Sequence, residues 1–386
     1  MYFKDIIGLD EIKKHLIACA RRQDIPHAQL FTSGDGTGAV ALALAYARYI
    51  NCLNPSEEDA CGCCSSCLKY DQLAHQDLIF LYPIVNGSKN ICDDLLPDWR
   101  KMLLGKNNAE RNVYFTHKDW LEQIGAGNSQ PIIYSRESDV LDEKLAYKIA
   151  EAKYRVVFIW QPERMHEALA NKLLKLIEEP PTNTIILMVS HEPGKILGTI
   201  KSRAQQTNIR PLTEQEIAQG LKRYGLLTDD NNLRQVAHLA QGNFREALDI
   251  QEGNYQKEQE LEYLRDILHC SISASPLEMK KTTEKISSLG REAQVALLEY
   301  LIGFFRECYI YNLQMPQLNY LHNQEINDAE KLRGCINSGN IRQLLSETDL
   351  AIRHIKQNTN SKMVFFDFLL NITAATAQAY KSKGLR

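Results

Sequence analysis

The sequence predicts an α/β domain built on a parallel sheet, followed by two helical domains. Three observations carry that reading. A short apolar run, AQLFTS, leads through a glycine-rich turn into an unbroken helix former, ALALAYARYINCL, the strand–loop–helix half of a phosphate-binding unit. Two further apolar runs, RVVFIW and TIILMVS, alternate with amphipathic helices, as strands of a doubly covered parallel sheet do. After Pro211 no strand pattern returns.

The elements follow in order. EIKKHLIACARRQ carries apolar positions at helical spacing before the first strand. A cysteine cluster follows the glycine-loop helix. Residues 84–135 contain the loop-like pieces GSKN, GKNN and GAGNSQ, with helical stretches around Trp99 and Trp120, and read as an insertion without assigned chemistry. DEKLAYKIAEAK is predicted to be an amphipathic helix. MHEALANKLLKLIEE is a strong helix stopped by Pro180-Pro181. Thr213 and Glu216 form a capping box at the start of TEQEIAQGLKRYG. From about residue 257 the text is helical to the end. The predicted domains are 1–211, with the cysteine module at about 52–67 and the insertion at about 84–135, then a small helical domain at 212–255 and a larger one at 256–386.

Length and composition agree with two or three domains: 386 residues, at roughly 150 per domain. Apolar residues at 44% and charged residues at 24% exclude collagen, low-complexity disorder and a bare coiled coil. Lys and Arg number 45 against 48 Asp and Glu, a net charge of −3, which argues against a protein that coats nucleic acid. The apolar runs are too short to span a bilayer, and the charged N-terminus lacks a signal-peptide core, so the expected place is the cytoplasm, with no membrane partner.

Five of the ten cysteines fall within sixteen residues, a pattern that reads as metal before disulfide. Cys52, Cys61, Cys64 and Cys67 give the spacing C-x8-C-x2-C-x2-C. Two-residue gaps turn neighbouring thiolates toward one ion. Four sulfurs satisfy tetrahedral Zn²⁺ and leave no open position, so the expected role is structural. An iron–sulfur cluster and free thiols are the other readings, and Cys63 is a spare that breaks the spacing.

The glycine loop runs Gly34-Asp35-Gly36-Thr37-Gly38-Ala39-Val40. A working phosphate loop needs a Lys on the β/γ-phosphates and a Ser/Thr hydroxyl on Mg²⁺. Gly36 and Gly38 are present, but Ala39 and Val40 stand at those two positions. The acidic residues expected at the end of the next core strand are replaced by Trp160 and Gln161. Two separate halves of one site are missing, so no ATP hydrolysis is expected, and the loop reads as a vestigial turn kept for folding.

These residues resemble the clamp-loader branch of the AAA+ superfamily. FKDIIGLDEIKKHL resembles its opening, HQDL its His-Pro-Asp-Leu segment, and ANKLLKLIEEPPTNTIILMVS its helix, Glu-Glu-Pro-Pro turn and strand. IKSRAQ resembles its Ser-Arg-Cys motif with Ala204 for Cys, and GNFREAL, bearing Arg245, the start of its lid helix. The likeness covers about residues 3–80 and 135–250. A zinc module beside a broken phosphate loop is similar to the bacterial delta-prime type rather than the ATP-driven gamma/tau type. The resemblance implies an AAA+ α/β domain, a helical lid and a helical collar for oligomerisation. It implies a non-catalytic subunit of the DNA polymerase III clamp loader, partnered by gamma/tau and delta subunits and, through them, by the sliding clamp and primed DNA. It implies that Arg203 acts as an arginine finger in a neighbour's ATP site. An active gamma/tau-type ATPase is the alternative. A zinc protein with a redox or nucleic-acid role is a third reading, against which the Glu-Glu-Pro-Pro and Ser-Arg context counts.

Overall fold

Four apolar runs and one polar segment form a five-stranded parallel sheet in the computed structural model. The described residues are 1–85, 91–105, 112–126, 130–226, 230–251, 255–315, 321, 323–332 and 335–382. GSKN and parts of GKNN and GAGNSQ lie outside them. The strands are β1 (Ala28–Thr32), β2 (Leu78–Leu81), β3 (Arg155–Trp160), β4 (Thr184–Ser190) and β5 (Gln205–Asn208), in spatial order β2-β3-β4-β1-β5, with β2 and β5 at the edges. Every residue of β1 to β4 is buried, as expected of strands covered on both faces. β1 lies between β4 and β5, so the chain order breaks at its C-terminal end, where open parallel sheets place their sites.

The chain divides into two compact units, Met1–Gln251 and Glu252–Arg386. In the first, the glycine-loop helix Ala39–Ile50 is buried along its whole length. Even Arg48 is only 1% exposed. Its guanidinium pairs with Asp71, donates to the carbonyls of Met1 and Cys67, and lies over the Tyr2 ring. The apolar core continues from the sheet into helices Glu214–Arg223, Asp230–Leu239 and Phe244–Gln251 through Ile217, Leu221, Leu233 and Phe244.

The insertion belongs to this core. Ile84 bridges Ile132, and Ile133 bridges Met165, tying both of its ends to the sheet side. Trp99 and Trp120 are fully buried on helices Leu96–Leu104 and His117–Gln123. Trp99 stacks on Tyr82 at 4.5 Å and meets Trp120 and Trp160 at 5.2 Å each. All three tryptophans of the chain therefore share one cluster.

One local expectation is corrected. The helix predicted over DEKLAYKIAEAK runs instead from Glu137 to Ala146, and Tyr147 is already extended. The Asp77 carboxylate accepts N–H groups from Ala150, Glu151 and Ala152, while the buried Arg155 donates to the carbonyls of Leu145 and Tyr147. Those side chains offer the backbone better partners than another helical turn. β5 carries no apolar pattern because QQTN is polar and largely exposed; its ladder to β1 and the Thr32 hydroxyl donating to the Asn208 side chain at 3.3 Å hold it in the sheet.

The capping box at Thr213 forms: Thr213 accepts from the Glu216 N–H, and Glu216 accepts from the Thr213 N–H at 2.8 Å. Glu216 also accepts from Leu9 N–H and pairs with Arg210 at 2.7 Å. The Arg210 hydrogen bonds hold the Glu216 carboxyl down at about 2, against an ordinary 4.5. A depressed carboxylate stabilises the fold above pH 4.5 and loses that contribution as pH falls toward 2. Arg210 is half exposed, so screening leaves of order 1 kcal/mol. Glu216→Gln is expected to lower stability by that amount at pH 7 and by much less near pH 2, read from urea unfolding at both pH values.

The second unit contains helices and no strand among its described residues. Its helices are Tyr255–Ser273, Pro276–Ser287, Arg291–Asn312, Asn323–Lys331, Ile341–Lys356 and Ser361–Ser382. Phe304, Phe305 and Cys308 of the FFRECYIY stretch are buried in its core with Leu298, Leu344 and Phe365. No helix among the described residues is long and apolar enough to cross a membrane.

Candidate functional site

Three sets of side chains were singled out by sequence: the cysteines, the glycine loop with the end of β3, and Arg203. The cysteine set converges. The sulfurs of Cys52, Cys61, Cys64 and Cys67 all lie within 4.8 Å of one another. The Cys67–Cys52 and Cys61–Cys67 separations are 3.6 and 4.0 Å. A tetrahedron with metal–sulfur bonds of ~2.3 Å has edges of ~3.8 Å, so the sulfurs already sit at zinc spacing. The Cys61 N–H donates to Cys52 Sγ at 3.3 Å and the Cys67 N–H to Cys64 Sγ at 3.4 Å, bonds that favour thiolates. For Cys61, slight burial raises the thiol, but N–H groups of Cys63 and Cys64 and adjacent thiols together draw it down to about 6, whereas burial pushes the Cys52 and Cys67 thiols up. Cys63 is exposed and outside the set. The donors fit Zn²⁺ held in a closed four-sulfur site. Arg48 binds this module to the glycine-loop helix through the Cys67 carbonyl, a link between separate motifs that spacing did not reveal.

The glycine loop and the end of β3 also meet. Gly36 and Gly38 adopt φ of 69° and 82°, conformations that favour glycine. Ala39 and Val40 begin the buried helix with side chains 2% and 4% exposed. Trp160 is fully buried, and its indole donates to His191 Nε2 at 3.1 Å. That bond makes Nε2 the acceptor and leaves Nδ1 to donate toward the Ser33 hydroxyl, 3.4 Å away. Glu163 Oε1 accepts from the His191 and Glu192 N–H groups, shaping the turn after β4. His117 is buried beside Trp160, and burial and then Arg164 push its imidazole down to about 3, so it is neutral at pH 7. Indole and neutral imidazole thus occupy the end of β3, where Mg²⁺ chemistry would need carboxylates.

Arg203 stands apart, on the turn between helix Gly198–Lys201 and β5. It is 42% exposed, and its Nε pairs with Glu178 at 2.8 Å. Nη1 donates to the Thr199 carbonyl at 3.2 Å. Glu178 is the first glutamate of the Glu-Glu-Pro-Pro turn, so two motifs distant in sequence are joined here. Arg245, at the start of its helix, lies 3.4 Å from Asp119 and 3.1 Å from Asp249.

A family profile described as "DNA polymerase III, delta subunit" matches residues 8–213, more than half of the chain. The chain belongs to that family. Among curated relatives, the Haemophilus influenzae DNA polymerase III subunit delta' is 28% identical over 290 residues, covering 75% of this chain and 72% of the relative. The Bacillus subtilis DNA polymerase III subunit tau is 23% identical over 327 residues, covering 80% of this chain and 50% of the relative. The chain spans half or less of the length of the tau and gamma/tau relatives it matches. A solved Thermotoga maritima gamma-subunit-related protein aligns over 94% of this chain and 99% of its own at 13% identity, with a TM-score of 0.40. Family membership accounts for the region of the glycine loop, the cysteine module and the Ser-Arg turn, all inside the matched span.

Proposed function

We propose that this chain is a delta-prime-type subunit of the DNA polymerase III clamp loader. It assembles with gamma/tau and delta subunits in the cytoplasm and supports loading of the sliding clamp onto primed DNA. It hydrolyses no ATP itself and offers Arg203 to a neighbouring subunit's ATP site. Residues 1–211 form the AAA+ domain, 212–255 a lid, and 256–386 the collar through which subunits associate.

The observation that carries this reading is the chemistry of the glycine loop. Ala39 supplies no charge, Val40 supplies no hydroxyl, and Trp160 supplies no carboxylate where hydrolysis requires all three. An exposed arginine on the Ser-Arg turn supports a role in trans, because Arg carries a planar, permanently charged fork suited to phosphate.

The pure chain is expected to show no steady ATP turnover and no tight Mg-ATP binding by calorimetry. Turnover abolished by a Gly38 substitution would favour the second reading, an active gamma/tau-type ATPase, which the named tau and gamma/tau relatives keep in view. Copurification from cells tests the assembly. Recovery of polymerase III subunits is expected, and their absence at stoichiometric levels would sink the reading.

A further inference from the structure

A glycine loop between strand and helix is shaped to admit a phosphate, because bare backbone N–H groups line it and no Cβ intrudes. Here the space over those glycines is filled by the chain itself. A Cβ on Gly38 would lie 2.8 Å from Tyr114 Cε1. A Cβ on Gly36 would collide with the Asn243 side-chain oxygen and lie 2.9 Å from Arg245 Cβ. Asp35, inside the loop, accepts the His117 N–H at 3.0 Å.

The filling residues come from two places. Asn243 and Arg245 open the helix Phe244–Gln251, whereas Tyr114, His117 and Asp119 belong to the insertion. Tyr114 is 1% exposed. Its hydroxyl accepts from the Ile7 N–H at 2.6 Å, and its ring packs on Phe244 at 4.7 Å. Asp119 faces Arg245 at 3.4 Å. One short segment therefore touches the N-terminal residues, the glycine loop and the helix that follows residue 243. Each contact answers a need that a bound nucleotide would meet. An aromatic ring covers the loop, and the Asp119 carboxylate adds negative charge beside Arg245, which also pairs with Asp249 of its own helix.

We propose that residues 112–124 are an internal clasp, which occupies the phosphate-loop cleft in place of a nucleotide and holds helices 214–251 to the sheet without one. The clasp deepens the reading of the loop as vestigial and rests on it. It gives the insertion a purpose: the placement of these helices becomes constant through a neighbour's ATP cycle. Restoring lysine and threonine at Ala39 and Val40 would not restore binding, because the cleft remains filled.

Hydrogen exchange on the full-length chain tests this directly, with and without Mg-ATP. Wild type is expected to protect residues 34–40 and 244–251 equally in both conditions. Asp119→Asn keeps the shape and removes the charge. It is expected to speed exchange over residues 244–251 roughly fivefold, the size of one partly screened ion pair. Arg245→Met, which also loses the pair with Asp249, is expected to speed exchange at least as much, and the double variant to add little to Arg245→Met alone. Tyr114→Ala should loosen both segments further; should it fail to fold, the Asp119 and Arg245 variants still decide. Unchanged exchange in Asp119→Asn and Arg245→Met, with wild type insensitive to ATP, would overturn the clasp and leave the vestigial loop standing. Slower exchange at residues 34–40 on adding Mg-ATP would overturn both.

Discussion

Cys64→Ser is expected to leave this chain without zinc. The wild-type protein is expected to carry about one Zn²⁺ per chain by elemental analysis, and the variant less than a tenth of that. Serine is the informative replacement because Cys64 has two roles. It is a sulfur of the four-thiol site, and its side chain accepts the Cys67 N–H as the N-cap of helix Ser65–Asp71. Serine caps well, so the cap survives while the metal ligand is lost. Structural zinc sites in small peptides bind with about 10–16 kcal/mol, and that energy is coupled to folding. Here a large core surrounds the module, so the loss is expected to be local. Hydrogen-exchange protection over residues 50–75 should collapse, and the Arg48 bond to the Cys67 carbonyl should weaken with it. Helices 255–382 should keep their protection. Full zinc retention in Cys64→Ser would overturn the ligand set and point to the exposed Cys63.

The second large effect is expected only in the proposed complex with partner subunits. Arg203→Ala should leave the fold, zinc content and subunit association of this chain nearly unchanged. Its pair with Glu178 joins two side chains that are 42% and 50% exposed, and such pairs contribute at most about 1 kcal/mol. DNA- and clamp-stimulated ATP hydrolysis by the complex should fall. An arginine finger acts mainly in the transition state and is worth roughly 10³-fold or more at one isolated site. Other ATP sites of the proposed complex would mask part of the loss, so a several-fold fall in the bulk rate is expected, and single-turnover measurement should show the larger one. Arg203→Lys should rescue only in part, because an ammonium lacks the planar fork. Normal hydrolysis and clamp loading by the Arg203→Ala complex would reduce Arg203 to the surface partner of Glu178.

How far the sequence could be read depended on whether a signal was local. RVVFIW and TIILMVS announce buried strands because burial on both faces demands unbroken apolar runs. The cysteine spacing announces a metal knuckle because thiolates two residues apart already face one another. β5 escaped because QQTN owes its conformation to the neighbouring β1, and its own residues carry no pattern. The helix ends at Ala146, short of the periodicity in DEKLAYKIAEAK, because the groups that stop it, Asp77 and Arg155, act from elsewhere in the chain. The insertion was illegible for the same reason. Tyr114 and Asp119 acquire meaning only against Gly38 and Arg245, which lie more than 70 residues away in each direction. Arg203 and Glu178 were each visible within a motif, but only the fold pairs them.

The gathering of Trp99, Trp120 and Trp160 in one buried cluster also decides how this protein reports on itself in light. The unit from residue 252 onward has tyrosines but no tryptophan, so it is silent when indole alone is excited. Every photon of indole emission comes from the seam between the insertion and the sheet, beside the imidazoles of His117 and His191. A red shift on mild denaturation would time the parting of that seam, while far-ultraviolet dichroism followed the helices. The two signals would part company if the units melt separately, and the chain needs no added label to show it.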